Sequence, residues 1–386
     1  MTYLTDIKKY RPFLLIVSLL FLAIYLIENI NGRFWLNDFK VYYSAADALK
    51  NGKTVYGESF GLSTGFYKYS PEVLCLFIPA TYLPFAAASG IHFFFIGLFT
   101  GLSLLMMLRL VEWQRPVSRP NALLLLTLLC VLNHLVRELH LGNVNMLLLC
   151  LLIAVLYFDA IEKPMAAGLC FALALLFKPY LLVLAIPLFL YKKIKTLLFS
   201  AVALLSAGLL FLLFFGFNQG LQLHKAWFTA MLAHGDYLHS AHTIPALLQY
   251  YGLPIIQQSQ QFYLMGLLLL VYLGAFILRP SLRSHHYFLP SYTVFLALLP
   301  NILITDTEHF LLAMPLVFLS LDIIRQDKNI WQIMLFALLI FAYGGNSSDL
   351  LGNRLSDQFE SMGLLGLANV LLVIFFMFSL KLKKTK

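Results

Sequence analysis

Asn37-Asp38-Phe39-Lys40-Val41-Tyr42-Tyr43-Ser44-Ala45-Ala46-Asp47-Ala48-Leu49-Lys50-Asn51-Gly52 follows closely on the first long apolar run of the chain, and its reading decides the rest. Phe39, Tyr42, Tyr43, Ala46 and Leu49 recur at helical spacing, while Lys40, Ser44, Asp47 and Asn51 fall on another face. The pattern predicts an amphipathic helix over 39–51, fit to lie on a membrane surface, with the carboxylate of Asp38 at its entry. Two readings of Asp38 stand side by side. An aspartate ahead of a helix is a good N-cap, with Gly52 as the C-terminal stop. A carboxylate at the membrane surface is also where an enzyme acting on a lipid-linked substrate needs an acid or a base.

Outward from this stretch, nearly everything is apolar. The chain has 386 residues, of which 61% are hydrophobic and 12% charged, and its mean hydropathy is +0.83. Soluble domains carry roughly twice that share of charge. The composition specifies an all-α polytopic membrane protein, a single membrane domain over 1–386. The net charge of +9 is spread over helix ends and forms no patch, which argues against nucleic acid as a partner. Cys75, Cys130, Cys150 and Cys170 lie inside apolar runs, with neither metal-ligand spacing nor a disulfide framework. Lys8, Lys9 and Arg11 precede an apolar run over 13–30 that is too long for a signal-peptide core, so it reads as a retained span.

Apolar runs near 13–30, 91–111, 121–136, 146–158, 165–177, 180–191, 197–217, 263–278, 287–304, 309–324, 330–343 and 363–380 give about 12 membrane segments. The stretch 72–90 is apolar but broken by Pro79 and Pro84, and reads as re-entrant or partly inserted. With the N-terminus inside, 18 of the 27 basic residues fall on inner segments and 12 of the 18 acidic residues on outer ones. Both termini are then cytoplasmic. The long polar loops 31–71, 218–262 and 344–362 gather on the outer face, which is where the chemistry is expected.

Ionisable groups at membrane depth are candidates for function. Lys178, in Phe177-Lys178-Pro179-Tyr180, lies between two runs each too short to cross alone. Its ammonium suits a lipid-linked phosphate, and a snorkelling lysine at a span end is the other reading. Asp306-Thr307-Glu308-His309 opens a span on the outer side. The acids there suit a helix start, which leaves His309 for a phosphate, an acceptor or a proton. His234, Asp236, His239 and His242 match no established ligand motif, and no metal is expected. Arg137-Glu138 with His140, Gly142, Asn143 and Asn145 forms a further polar cluster at a span end. Tyr67, Tyr69, Tyr237, Tyr250 and Tyr251 suit an interface belt or stacking on sugar rings.

The order of these features carries a resemblance. Asp38-Phe39-x-x-Tyr42-Tyr43-x-Ala45-Ala46-x-Ala48-Leu49-x-x-Gly52, then Tyr56, then Tyr69-Ser70-Pro71, resembles the first outer loop of glycosyltransferase family 87. These are polyprenyl-phosphate-mannose-dependent mannosyltransferases and their relatives, of the GT-C fold. Gly142-Asn143-Val144-Asn145 is similar to the family's Gly-Gln-x-Asn element, Ala167-Gly168 followed by Lys178-Pro179 to its next, and Glu308-His309 to a later one. The family often has Tyr-Pro-Pro where this chain has Tyr69-Ser70-Pro71, and Gln where it has Asn143.

The resemblance implies an inverting hexosyltransferase of the cell membrane. It would move a sugar, mannose by analogy, from a polyprenyl phosphate to a glycolipid or glycan hydroxyl on the extracytoplasmic face. Asp38 would be the base, with His309 beside it in catalysis. Lys178 and Arg137 would face the donor phosphate, and Tyr42, Tyr69, Asn143, Asn145 and Glu308 the sugar or acceptor. Neither a cofactor nor a metal is implied. A transporter or flippase for a lipid-linked saccharide is the competing reading, since it too would explain many spans and an intramembrane lysine.

Overall fold

Proline presets the φ angle of a first helical turn and gives up a donor that has no partner there. Pro12, Pro71, Pro120 and Pro164 each stand at the start of a helix of this chain. The structure is a computed structural model that describes residues 7–61, 65–233, 240–252, 266, 273–274, 284–303 and 306–380. Among the described residues the regular structure is helical, apart from one antiparallel bridge between Ser59 and Phe66.

In chain order the helices are α1 (Arg11–Ile30), α2 (Asn37–Lys50), α3 (Pro71–Phe77), α4 (Phe85–Glu112), α5 (Pro120–Cys130) and α6 (Leu132–Leu141). There follow α7 (Asn145–Ala160), α8 (Pro164–Phe177), α9 (Ala185–Leu190), α10 (Ile194–Phe215), α11 (Phe217–Ala233) and α12 (Ile244–Tyr250). The last are α13 (Phe288–Ile302), α14 (Met314–Asp327), α15 (Ile330–Gly344), α16 (Ser348–Leu351), α17 (Asn353–Ser361) and α18 (Leu364–Ser379). Short 3₁₀ turns cover Ile78–Tyr82, Pro179–Leu184 and Thr307–Ala313.

Four helical stretches are long and apolar enough to cross a membrane: Lys8–Ile30, Phe85–Glu112, Ile194–Phe215 and Thr307–Asp327. Two bent pairs, α5 with α6 at 64° and α17 with α18 at 60°, raise the number to six. The remaining apolar helices have 10–17 residues and are about 15–26 Å long, short of a straight crossing of a ~30 Å core. Length and composition therefore account for four to six of the twelve expected crossings among the described residues. The expected run 263–278 lies largely outside them. On α10, Leu198, Val202, Leu205, Leu209 and Leu213 are exposed at helical spacing, a stripe suited to lipid.

The stretch 72–90 divides differently from the sequence reading. Pro84 adopts an extended conformation (φ −56°, ψ 143°) and starts a new helix, so Phe85–Gly90 form the first turns of α4. Only α3 and the turn Ile78–Tyr82 remain as the short apolar insertion.

The chain forms two compact units, Met1–Asn121 with Val136–Ala185 and Lys193–Tyr237, and Ala122–Leu135 with Ile186–Lys192 and Leu238–Lys386. In the first, α7 packs between α4 and α8, and α8 lies on α10. Lipid is as apolar as leucine, so helices in a membrane associate through close packing, which small residues allow. Gly168 shows this: a Cβ there would stand 2.6 Å from Phe199 Cβ and 2.7 Å from the Thr196 carbonyl oxygen.

In the second unit the span Thr307–Asp327 is almost wholly buried. Asn301 Nδ2 donates to the carbonyls of His242 and Gly366, each at 2.9 Å. Asn369 Nδ2 donates to the Ala297 carbonyl at 2.7 Å and to Asn301 Oδ1 at 2.6 Å. These two amides tie α13 to α18 in an interior where an unmet polar group is costly.

Candidate active site

Helix α2 begins at Asn37, two residues earlier than its apolar spacing suggests, and this changes the position of Asp38. The residue ahead of the helix is Leu36, in the left-handed region at φ 42°, with no side-chain cap. Asp38 lies inside the first turn and does not hold the N-cap position, so the reading of it as the cap ahead of the helix fails. The left-handed Leu36 is 1% exposed; such backbone costs roughly 1–3 kcal/mol and persists only where its surroundings impose it. The expected polar face is open, with Lys40 and Lys50 exposed and Ser44 and Asp47 half-buried, but the buried face is broader than the apolar spacing alone shows. Phe39, Val41, Tyr42, Ala45, Ala46, Ala48 and Leu49 are all buried, because three alanines let α3, α4 and the Ile78–Tyr82 turn come close. Gly52 does follow the helix end, in the left-handed conformation.

What imposes the geometry is the loop between α6 and α7. Gly142 has φ +67°, and a Cβ there would lie 3.0 Å from Leu36 Cβ and 3.1 Å from Phe39 Cβ. Only glycine meets both demands. The next residue, Asn143, donates from Nδ2 to Asp38 Oδ2 at 2.7 Å. Its orientation is fixed chemically: Oδ1 accepts from the Val144 backbone N–H at 2.7 Å, and that group can only donate. Tyr42 donates to the same Oδ1 at 3.3 Å. Having spent its proton there, Tyr42 accepts from the Tyr69 hydroxyl at 2.9 Å.

Burial, followed by the neighbouring Tyr69 and the negative Asp38, holds the Tyr42 hydroxyl well above its ordinary pKa. Burial also raises Tyr69, with Asp38 adding to the effect. Both phenols stay neutral donors, as the chain of bonds requires.

The Tyr69-Ser70-Pro71 element is docked on the end of α8, with the Ser70 N–H donating to the Leu176 carbonyl at 3.3 Å and the Tyr69 ring on Phe177. Immediately after it, Pro179 bars helical backbone at Lys178, which is extended (φ −137°, ψ 92°). Lys178 is 7% exposed, so it does not snorkel. Its Nζ donates to Asn145 Oδ1 at 2.6 Å. Asn145 Nδ2 in turn donates to Glu138 Oε2 at 2.9 Å, and the Met146 N–H to Glu138 Oε1 at 3.0 Å. Glu138 is completely buried. It sits on the N-terminal end of α7, where the helix dipole favours an anion, and supplies the countercharge a buried ammonium needs.

Six expected site residues thus fall in two hydrogen-bonded sets, Asp38, Tyr42, Tyr69 and Asn143 in one and Asn145 and Lys178 in the other, which adjoin along the chain from Asn143 to Asn145. Glu138, named in the polar cluster but given no role, joins the second set, and its signal was present. Leu135, Glu138, Leu139 and Gly142 recur at i, i+3, i+4, i+7 and are all buried. Arg137, expected at the donor phosphate, is exposed, about 100° round α6 from Glu138.

The second unit holds Glu308 and His309, 2% and 8% exposed, in the turn Thr307–Ala313. Asp306 precedes the turn but makes no capping bond. One ligating atom from each of Asp306, Glu308 and His309 lies within 4.8 Å of the others, a donor set that could hold a cation. Behind them the rings of His134, His242 and Tyr343 pack around Phe310. His234, Asp236, Tyr237 and His239 lie outside the described residues.

A family model described as glycosyltransferase family 87 matches residues 66–315, about two thirds of the chain. The chain belongs to glycosyltransferase family 87. Within the family match lie Tyr69, Glu138, Asn143, Asn145, Lys178, Glu308 and His309, whereas Asp38 and Tyr42 precede it. Asp38 is therefore joined to the family region by the Asn143 bond and not by the match. The chain is also similar to GPI mannosyltransferase 1 of Saccharomyces cerevisiae, 28% identical over 177 residues, 46% of this chain and 41% of that protein. The Kluyveromyces lactis protein of the same name is 27% identical over 155 residues, 40% of this chain and 36% of the relative. The chain thus aligns with about two fifths of the length of these relatives.

Proposed function

We propose that this family 87 protein is an inverting hexosyltransferase that takes mannose from a polyprenyl phosphate and gives it to a hydroxyl of a glycolipid or glycan. The observation that carries the reading is the Asn143–Asp38 bond at 2.7 Å. It ties one oxygen of a partly exposed carboxylate to the buried Asn143 side chain and so fixes the direction in which the carboxylate meets a substrate. The acceptor hydroxyl gives its proton to the carboxylate as its oxygen attacks the anomeric carbon. The bond from that carbon to the phosphate oxygen breaks, and the polyprenyl phosphate departs with the electron pair. Polyprenyl phosphate leaves readily, so no second carboxylic acid is needed. Lys178 is the cation that meets the developing negative charge. Glu308 and His309 are assigned to the acceptor and to proton handling.

The names of the curated relatives support mannose as the sugar. The distribution of basic and acidic residues supports an extracytoplasmic site in the cell membrane. A flippase reading rested on an intramembrane lysine awaiting a moving substrate. Lys178 instead has a fixed relay through Asn145 to Glu138, which suits a static phosphate site better.

The experiment is sugar transfer by purified protein from a panel of radiolabelled polyprenyl-phosphate sugars to a lipid-glycan acceptor fraction. Transfer of label from the mannosyl donor, lost on Asp38→Asn, is the expected outcome. Full transfer by the Asn variant removes the base, and movement of intact lipid-linked sugar without transfer restores the flippase.

A further inference from the structure

We propose that His92, a residue of α4, is the positioning residue of the Asp38 carboxylate; the inference rests on the reading of Asp38 as the base. In Phe85–Leu108, His92 is the only side chain with an ionisable group, and a polar side chain inside an apolar spanning helix is expensive unless it has a task. It lies seven residues into α4, about 10 Å along the helix, level with the start of α2.

Two contacts define the task, and they grip the two sides of the Asp38–Asn143 bond. His92 Nε2 is 2.9 Å from the Gly142 carbonyl oxygen. A carbonyl only accepts, so Nε2 carries the hydrogen and the ring is oriented. The same ring lies flat on Phe39, with centroids 4.3 Å apart and planes 16° apart. Gly142 immediately precedes Asn143, and Phe39 immediately follows Asp38. One side chain therefore holds both backbones whose spacing sets the 2.7 Å bond between Asn143 Nδ2 and Asp38 Oδ2.

The rest of the contact cannot substitute for it. Gly142 has no side chain, and Leu36, whose Cβ would stand 3.0 Å from a Cβ there, has no polar group to offer the carbonyl. Phe85 also stacks on Phe39, at 6.0 Å, but offers nothing to the Gly142 carbonyl. Without the His92 N–H that carbonyl loses its interhelical donor, and the loop carrying Asn143 is free to lift from α2. A carboxylate displaced by an ångström from the line of proton transfer loses rate and leaves donor binding intact.

The test compares His92→Met with His92→Gln. The two side chains have nearly the same length and flexibility, and glutamine keeps an N–H where Nε2 stands. In transfer assays with the radiolabelled mannosyl donor, His92→Met should lose roughly 10-fold or more in kcat with donor KM within about twofold. His92→Gln should recover most of that loss. Combining His92→Met with Asn143→Ala should add little to Asn143→Ala alone, since both act on the same bond. Hydrogen exchange of the peptide covering residues 34–43 should rise in the Met variant and stay near wild type in the Gln variant. That readout needs no activity, so it stands even if the wild-type protein transfers no sugar from any donor, a result that would reject the reaction and leave the clamp to be judged. Unchanged exchange in His92→Met, equal losses in Met and Gln, or additive losses with Asn143→Ala would each overturn the assignment.

Discussion

Asp38 works, on this reading, because the Asn143 amide that orients it is buried while the carboxylate itself lies at the edge of the packed interior. A base that must accept a proton in the transition state contributes roughly 10²–10⁴ in rate. Asp38→Asn keeps the shape and should lose transfer by about that factor, with unchanged yield from membranes, measured by initial rates on purified protein. Lys178→Ala should raise donor KM roughly 10- to 100-fold, the weight of a charged hydrogen bond, with less effect on acceptor KM. Glu138 gives a sharper test, because it never meets substrate. Glu138→Leu removes the carboxylate that Asn145 links to the Lys178 ammonium, itself 7% exposed, and breaking a buried charge pair costs about 3–5 kcal/mol. The variant should unfold at lower temperature in detergent, and Lys178→Met added to it should restore part of the loss. Most of this network was legible in the sequence, since Asp38, Tyr42, Asn143 and Lys178 stand in ordered short motifs. Glu138 stood in the same polar cluster without a role, while Arg137 beside it was expected at the phosphate. Helical phase alone separates them, and it puts the acid inside.

At the scale of elements, a helix can be read from periodicity, but what presses on it cannot. The apolar spacing of 39–51 identifies α2 and its end at Gly52. It does not reveal how broad the buried face of α2 is, because Ala45, Ala46 and Ala48 look like neutral helix formers until neighbours close on them. The start of α2 was misplaced for a related reason: a left-handed Leu36 is imposed by packing against Gly142 and has no local signature. Gly142→Ala tests this joint. It adds a Cβ at 3.0 Å from Leu36 Cβ and forces φ +67° on a residue that disfavours it by roughly 1–2 kcal/mol. Transfer should fall by more than the loss of stability explains, read as specific activity of the folded fraction. Gly168→Ala, in the α8–α10 contact far along the chain from Asp38, should behave the opposite way. Overpacking there costs about 1–3 kcal/mol, seen as a lower unfolding temperature with the specific activity of folded protein retained.

For the whole molecule, the sequence reading rests on charge. Basic residues gather on one set of loops and acidic residues on the other, and such bias fixes orientation in the membrane because translocating a cation is the unfavourable step. Apolar runs were harder to convert into crossings, since helices of 10–17 residues do not by their length separate a tilted span from a re-entrant segment. Orientation can be tested without counting them. Lys53 follows α2 in the first polar loop, and Lys163 joins α7 to α8; both are exposed. In a background lacking Cys75, Cys130, Cys150 and Cys170, Lys53→Cys should react with a membrane-impermeant maleimide on intact cells. Lys163→Cys should react only after the membrane is opened. Reaction of both from outside would place an odd number of crossings between them in error. Reaction of Lys163→Cys alone would invert the protein and carry Asp38 to the cytoplasmic face. The proposed donor would then have to present its sugar inside the cell, so the same labelling fixes which leaflet a transfer assay must supply.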